Sequence, residues 1–136
     1  MKPSTLLAYF FGALMALGAL GHVLIPDYYA PMVPAPIPLG LANVLALVAE
    51  AGTAALIFLP ATRRWGLLAF TALMVAFLPI HVWDLFREDH LFGSASAAAI
   101  RLVFQLAFIG LGVWLYRLET AARATEEPGS SASARA

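Results

Sequence analysis

Seven polar side chains interrupt a strongly apolar sequence: His22, Asn43, Glu50, His81, Asp84, Arg101 and Gln105. Glu50 is the most demanding of them. It sits at the centre of Leu39 to Leu59, LGLANVLALVAEAGTAALIFL, a run of 21 residues with no other charge. As a helix this run is about 31 Å long at 1.5 Å per residue, the hydrocarbon thickness of a bilayer. A carboxylate at that depth costs on the order of 2.5 to 3.5 kcal/mol unless it is protonated or partnered, so other helices must bring it company. Of the remaining six, His22 stands alone and the other five fall into three pairs, one of them with Glu50 itself. Asn43 and Glu50 are seven apart, His81 and Asp84 three, and Arg101 and Gln105 four, so each pair shares one helix face. Imidazoles beside a carboxylate can handle protons, while Arg, Asn and Gln can hold ligand oxygens.

Composition fixes the elements that position these groups. Only 12% of the 136 residues are charged, 62% are hydrophobic, and the mean hydropathy is +0.84. Soluble domains carry about 25% charge, so an all-α integral membrane bundle of four transmembrane helices is expected. Eight basic and eight acidic residues leave no net charge and no basic stripe for nucleic acid. Cysteine is absent, which excludes disulfides, thiolate metal sites and a Cys nucleophile. No GxGxxG, P-loop or GxSxG sequence is present, so no catalytic motif stands out. Any redox role therefore requires a bound cofactor or a partner.

The spans read as about 4–25, 39–59, 65–86 and 97–116, within a transmembrane domain of residues 1–118. Lys2 followed by an apolar run also resembles a secretory signal peptide, but some 20 apolar residues are long for one. Gly12, Ala16, Gly18 and Gly21 allow close approach of a second helix. Pro26 to Pro38 holds five of the nine prolines. It is either a stiff hairpin linker or a cover lying over the bundle. Arg63 and Arg64 form a polar turn that stops translocation. Pro79 predicts a kink or unwinding just before His81. His90 is expected to be solvated, and Ser94 or Ser96 to cap the fourth helix. Residues 119–136 read as a disordered cytoplasmic tail.

Basic residues set the orientation. With the N-terminus inside, Lys2, Arg63, Arg64, Arg117, Arg123 and Arg135 are cytoplasmic and only Arg87 is in an outer loop. Counting at 1.5 Å per residue from the outer helix ends, His22 and Asp84 lie about 3 to 5 Å deep. Asn43, His81 and Arg101 follow at about 6 to 8 Å, Gln105 at about 13 Å and Glu50 at about 16 Å. All seven fall in the outer half, a funnel that ends at Glu50. Packing alone is the competing explanation: Asp84 with Arg101 as a salt bridge, Gln105 and Asn43 as interhelical hydrogen bonds. Two histidines and a carboxylate could also ligate a metal, but one ligand per helix, without an HxxxH or ExxH pair, is a weak pattern, and no metal site is assigned.

Several short motifs add a resemblance. Gly21-His22, Met32-Val33-Pro34, Pro36-Ile37-Pro38, Ala49-Glu50, Leu59-Pro60-Ala61-Thr62-Arg63-Arg64, Phe77-Leu78-Pro79 and Arg101-Leu102-Val103-Phe104-Gln105 occur in an order that resembles the DoxX-like family of small four-helix bacterial membrane proteins. The likeness covers about residues 8 to 117, and it departs from the family at His81, where Asn is common. It implies the bacterial cytoplasmic membrane, a redox-protein partner and a quinone-like ligand. A small proton or solute transporter and a structural assembly factor are the alternatives.

Overall fold

The computed structural model describes residues 1–91 and 93–126. Four long helices carry the chain: α1 (Pro3–Leu24), α2 (Leu39–Phe58), α3 (Arg63–Asp84) and α4 (Ala95–Glu126). All four are long and apolar enough to cross a bilayer. Large apolar side chains point outward on each, among them Phe10, Leu17, Val44, Leu45, Val48, Val75, Val103 and Phe104, all at least half exposed. So much outward apolar surface is stable only against lipid. The protein is a multi-pass membrane bundle, with α1 packed on α2, α2 on α3 and α3 on α4.

Helix ends follow local chemistry. Pro3 occupies the first turn of α1, where no amide hydrogen is needed. Pro60 directly follows Leu59, the residue that caps the C-terminal end of α2. Ser94 begins α4: its hydroxyl accepts from the Ala97 amide at 3.2 Å and its carbonyl from Ala98 at 3.0 Å.

The interior divides into two unlike halves. At the end shared by the N-terminus and the α2–α3 turn, Ala8, Phe11 and Met15 interlock with Ala54, Ile57, Leu67, Phe70, Met74 and Leu115. Phe11 stacks on Phe70 with centroids 4.4 Å apart and meets Phe108 edge-on at 5.4 Å, joining three helices. At Gly66 a Cβ would collide with the α2 backbone at Ile57, so α3 can approach α2 this closely only without a side chain there. The other half, toward the α1–α2 and α3–α4 connections, holds the polar groups and a cavity.

Three expectations are corrected here. α4 continues to Glu126, so residues 119–126 belong to a helix and not to a disordered tail; residues 127–136 lie outside the described part. The extension has partners that apolar periodicity does not reveal: Arg63 lies 3.6 Å from Glu119, and Arg123 donates to the Pro60 carbonyl. Arg63 itself is buried, although it reads as a solvated turn. Its Nε donates to the Ile57 carbonyl at 3.2 Å and a terminal nitrogen to the Tyr9 hydroxyl at 2.9 Å. It thereby ties α1 and α4 to the end of α2. Finally, of the kink or unwinding expected at Pro79, the unwinding is not found: α3 remains helical from Arg63 to Asp84.

Candidate functional site

Five of the seven polar residues line one cavity of about 300 Å3: His22 on α1, Asn43 and Glu50 on α2, His81 on α3 and Arg101 on α4. The walls between them are apolar, including Ala42, Ala46, Phe77 and Ile80. Apolar walls with a few convergent polar groups are the usual make-up of a small-molecule site, and this volume is at the lower end of the common range.

A directed chain of hydrogen bonds leads to Glu50. Asn43 Nδ2 donates to the Pro26 carbonyl at 3.3 Å, which turns Asn43 Oδ1 toward His22 Nδ1, 2.7 Å away. The Pro26 carbonyl can only accept, so the opposite amide orientation would set two acceptors against each other. His22 must then carry a proton on Nδ1 and donate it to Asn43. Its Nε2 is left facing Glu50 Oε2 at 3.9 Å, beyond hydrogen-bond range. Both side chains are more than nine-tenths buried, and Glu50 Oε2 has no hydrogen-bond partner among the described residues.

Gly18 makes room for this pair. A Cβ added there would strike Glu50 Oε2 and lie 3.0 Å from the carboxyl carbon. The small-residue pattern of α1 therefore accommodates a side chain as well as a neighbouring helix, as Gly12 does against Ile57 and Phe58.

The segment between α1 and α2 covers the site. Residues Pro26–Met32 form a 3-10 helix, and Tyr29, Met32, Val33, Pro34 and Ile37 complete the cavity wall. Tyr29 stacks on His22 with centroids 3.8 Å apart, its hydroxyl against Gly21. Burial, with smaller contributions from Glu50 and Tyr28, pushes the Tyr29 phenol above its ordinary value of 10.0, so it is neutral at physiological pH. Of the two roles left open for the proline-rich stretch, the cover is the one observed. Tyr29 reads from sequence as an interfacial aromatic, and no helical period links it to His22.

Asp84 and Gln105 do not line the cavity. Gln105 Nε2 donates to the Met74 carbonyl at 2.5 Å, next to Val75, whose carbonyl loses its helical donor to Pro79. Asp84 is 2% exposed and serves the α3–α4 connection, accepting from the Leu91 amide at 2.6 Å. His90 is likewise engaged, its Nδ1 2.7 Å from the Asp84 carbonyl, and is not simply solvated. Asp84 and Arg101 both lie within electrostatic range of His81.

A model of the family described as Domain of unknown function (DUF8561) matches residues 11–117. The chain belongs to this family. No curated protein and no solved structure matches it. The DUF8561 span contains every residue of the cavity, from His22 to Arg101, as well as the apolar plug from Phe11 to Leu115. It also contains Gly18, Gly21 and the whole proline-rich cover.

Proposed function

We propose that this protein binds a small amphipathic ligand, a quinone-like head group, in the cavity at Glu50, as an accessory to a membrane redox system of the DoxX-like type. The single observation that carries the reading is the cavity itself, an apolar-walled space on which His22, Asn43, Glu50, His81 and Arg101 converge, with Glu50 Oε2 buried beside it and lacking a hydrogen-bond partner among the described residues. A polar atom held that way inside a bundle is costly unless something else completes it. Ring-shaped ligands suit the site because Tyr29, Phe77 and the proline-rich cover offer flat apolar surfaces. His22 and Arg101 would hold ligand oxygens, and Glu50 would exchange the proton.

Conduction is less well supported than binding. Beyond Glu50 the interior is largely apolar, filled by Phe11, Ile57, Phe70, Met74 and Leu115, with Thr53 as the buried polar side chain before Arg63 at the far end. The charge distribution supports an orientation with both termini in the cytoplasm and the cavity in the outer half of a bacterial cytoplasmic membrane. A redox-protein subunit is the partner this reading calls for.

Native mass spectrometry of gently solubilised protein tests the proposal. A small molecule retained at one per chain, identified by fragmentation as an amphipathic ring compound, is the expected result. Protein that keeps only bilayer phospholipid, or nothing, would overturn it.

A further inference from the structure

The cover reaches into the polar site at two points. Tyr29 stacks on the His22 ring with centroids 3.8 Å apart, and its hydroxyl rests against Gly21, where an added Cβ would strike it. Pro26, the first residue of the same 3-10 helix, accepts from Asn43 Nδ2 at 3.3 Å. A carbonyl oxygen cannot donate, so the seated cover dictates which end of the Asn43 carboxamide is presented to His22. That end is Oδ1, 2.7 Å from His22 Nδ1. An acceptor there holds the proton of the neutral imidazole on Nδ1. The other ring nitrogen, Nε2, is left as an acceptor facing Glu50 Oε2 at 3.9 Å.

We propose that Asn43 is a positioning residue through which the cover sets the place of the proton on His22. With the cover seated, the neutral ring has nothing to donate toward Glu50. With the cover lifted, the Pro26 carbonyl is gone, and the carboxamide is free to turn over and present Nδ2 to His22 Nδ1. The imidazole then gives its Nδ1 proton to water admitted by the open cover and takes one on Nε2, with no net change of charge. Nε2–H becomes a donor aimed at Glu50. Closure therefore leaves the carboxyl group without a bond from His22, and opening supplies one. A carboxamide suits this task because it is neutral, donates at one end, accepts at the other, and exchanges the two by a half-turn. Asn43 is only 7% exposed, so an unmet end is costly and the turn of the amide follows the cover. The coupling needs no ligand.

Nitrogen NMR of the full-length protein in detergent, with isotope-labelled histidine and at a pH where no imidazolium signal is present, reads the two ring nitrogens directly. His22 is one of three histidines, and its signals are those that disappear in His22→Gln. The form protonated on Nδ1 should predominate in the wild type. Gly21→Ala displaces the Tyr29 hydroxyl and Tyr29→Leu removes the stacked ring, so both loosen the cover while keeping His22 and Asn43. Each, checked for a wild-type elution profile, should move the ratio of the two forms toward Nε2 at least about fivefold, the bias of one neutral hydrogen bond. Asn43→Ala should do the same with the cover residues intact, and adding Gly21→Ala to it should change nothing more. A wild-type proton on Nε2 would overturn the proposal, as would a ratio unmoved in the folded cover variants or in Asn43→Ala. A further shift on combining Gly21→Ala with Asn43→Ala would show that the cover acts on His22 by another route, and would overturn it too.

Discussion

Gly18→Ala is the substitution whose effects on stability and on binding should separate most cleanly. The added methyl carbon would meet the Glu50 carboxylate, with the carboxyl carbon at 3.0 Å where ordinary contact begins near 3.4 Å. The obstacle is the end of a side chain, so the carboxylate can swing away and leave the backbone in place. Overpacking of this kind costs about 1 to 3 kcal/mol, while alanine in place of a mid-helix glycine returns up to about 1 kcal/mol. The net penalty is between zero and about 3 kcal/mol, which lowers the melting temperature by up to several degrees without unfolding the protein. The binding effect should be much larger in proportion. With Oε2 displaced, the geometry facing His22 Nε2 is lost, and retention of the co-purified ligand should fall at least about tenfold. Gly110→Ala is the matched control, because a Cβ there meets nothing within 4 Å. The assay is thermal unfolding and native mass spectrometry on the three proteins side by side. If Gly18→Ala keeps wild-type ligand occupancy, the position of the Glu50 carboxylate does not matter to the ligand and the reasoning is wrong.

Three further outcomes follow from the same geometry. Gln105→Leu should cost about 0.5 to 1.5 kcal/mol, because it removes a buried hydrogen bond to the Met74 carbonyl, which keeps its helical donor, and should leave ligand occupancy unchanged; a thermal scan identical to wild type would contradict the structural role assigned to Gln105. Arg63→Met should be more damaging, about 3 to 5 kcal/mol, since it strands the Ile57 carbonyl, the Tyr9 hydroxyl and Glu119 together, and a loss below about 0.5 kcal/mol in denaturant unfolding would show that this network contributes little. Single cysteines at Ala35 and Ser94 should react with a membrane-impermeant maleimide on intact cells and one at Ala61 only after permeabilisation, and labelling of Ala61→Cys from outside would reverse the proposed orientation.

The four spans were legible because their signal is one-dimensional: apolar length, broken by Pro26 to Pro38, Pro60 to Arg64 and Arg87 to Ser96. Depth was legible for the same reason. Counting the helical rise placed His22, Asn43, Glu50, His81 and Arg101 at one end, and the cavity lies there. Azimuth was less accessible. Gln105 and Asp84 have suitable depths but turn to backbone groups of Met74 and Leu91, and the sequence gives no measure of which way a polar side chain faces within a bundle apolar on all sides. Tyr29 reads from sequence only as an interfacial aromatic because its place over His22 depends on the path of a proline-rich segment with no period to read. Arg63 was misread because a basic residue at a turn usually snorkels to water, whereas this one folds back among Tyr9, Ile57 and Glu119. The same ion pair helps explain why α4 outlasts its apolar stretch.

Glu50→Gln, examined for both fold and ligand, bears most directly on the claim that the cavity exists to bind something. The carboxamide has nearly the volume of the carboxyl group and the hydrogen-bonding capacity of its neutral form, so insertion and folding should survive, with a melting temperature within a few degrees of wild type. Ligand occupancy in the native mass spectrum should fall at least about tenfold, because a carboxamide can neither ionise nor present two acceptor oxygens to the ligand. A variant that folds normally and retains its ligand in full would contradict the account, and one that fails to insert would show Glu50 to be part of the scaffold.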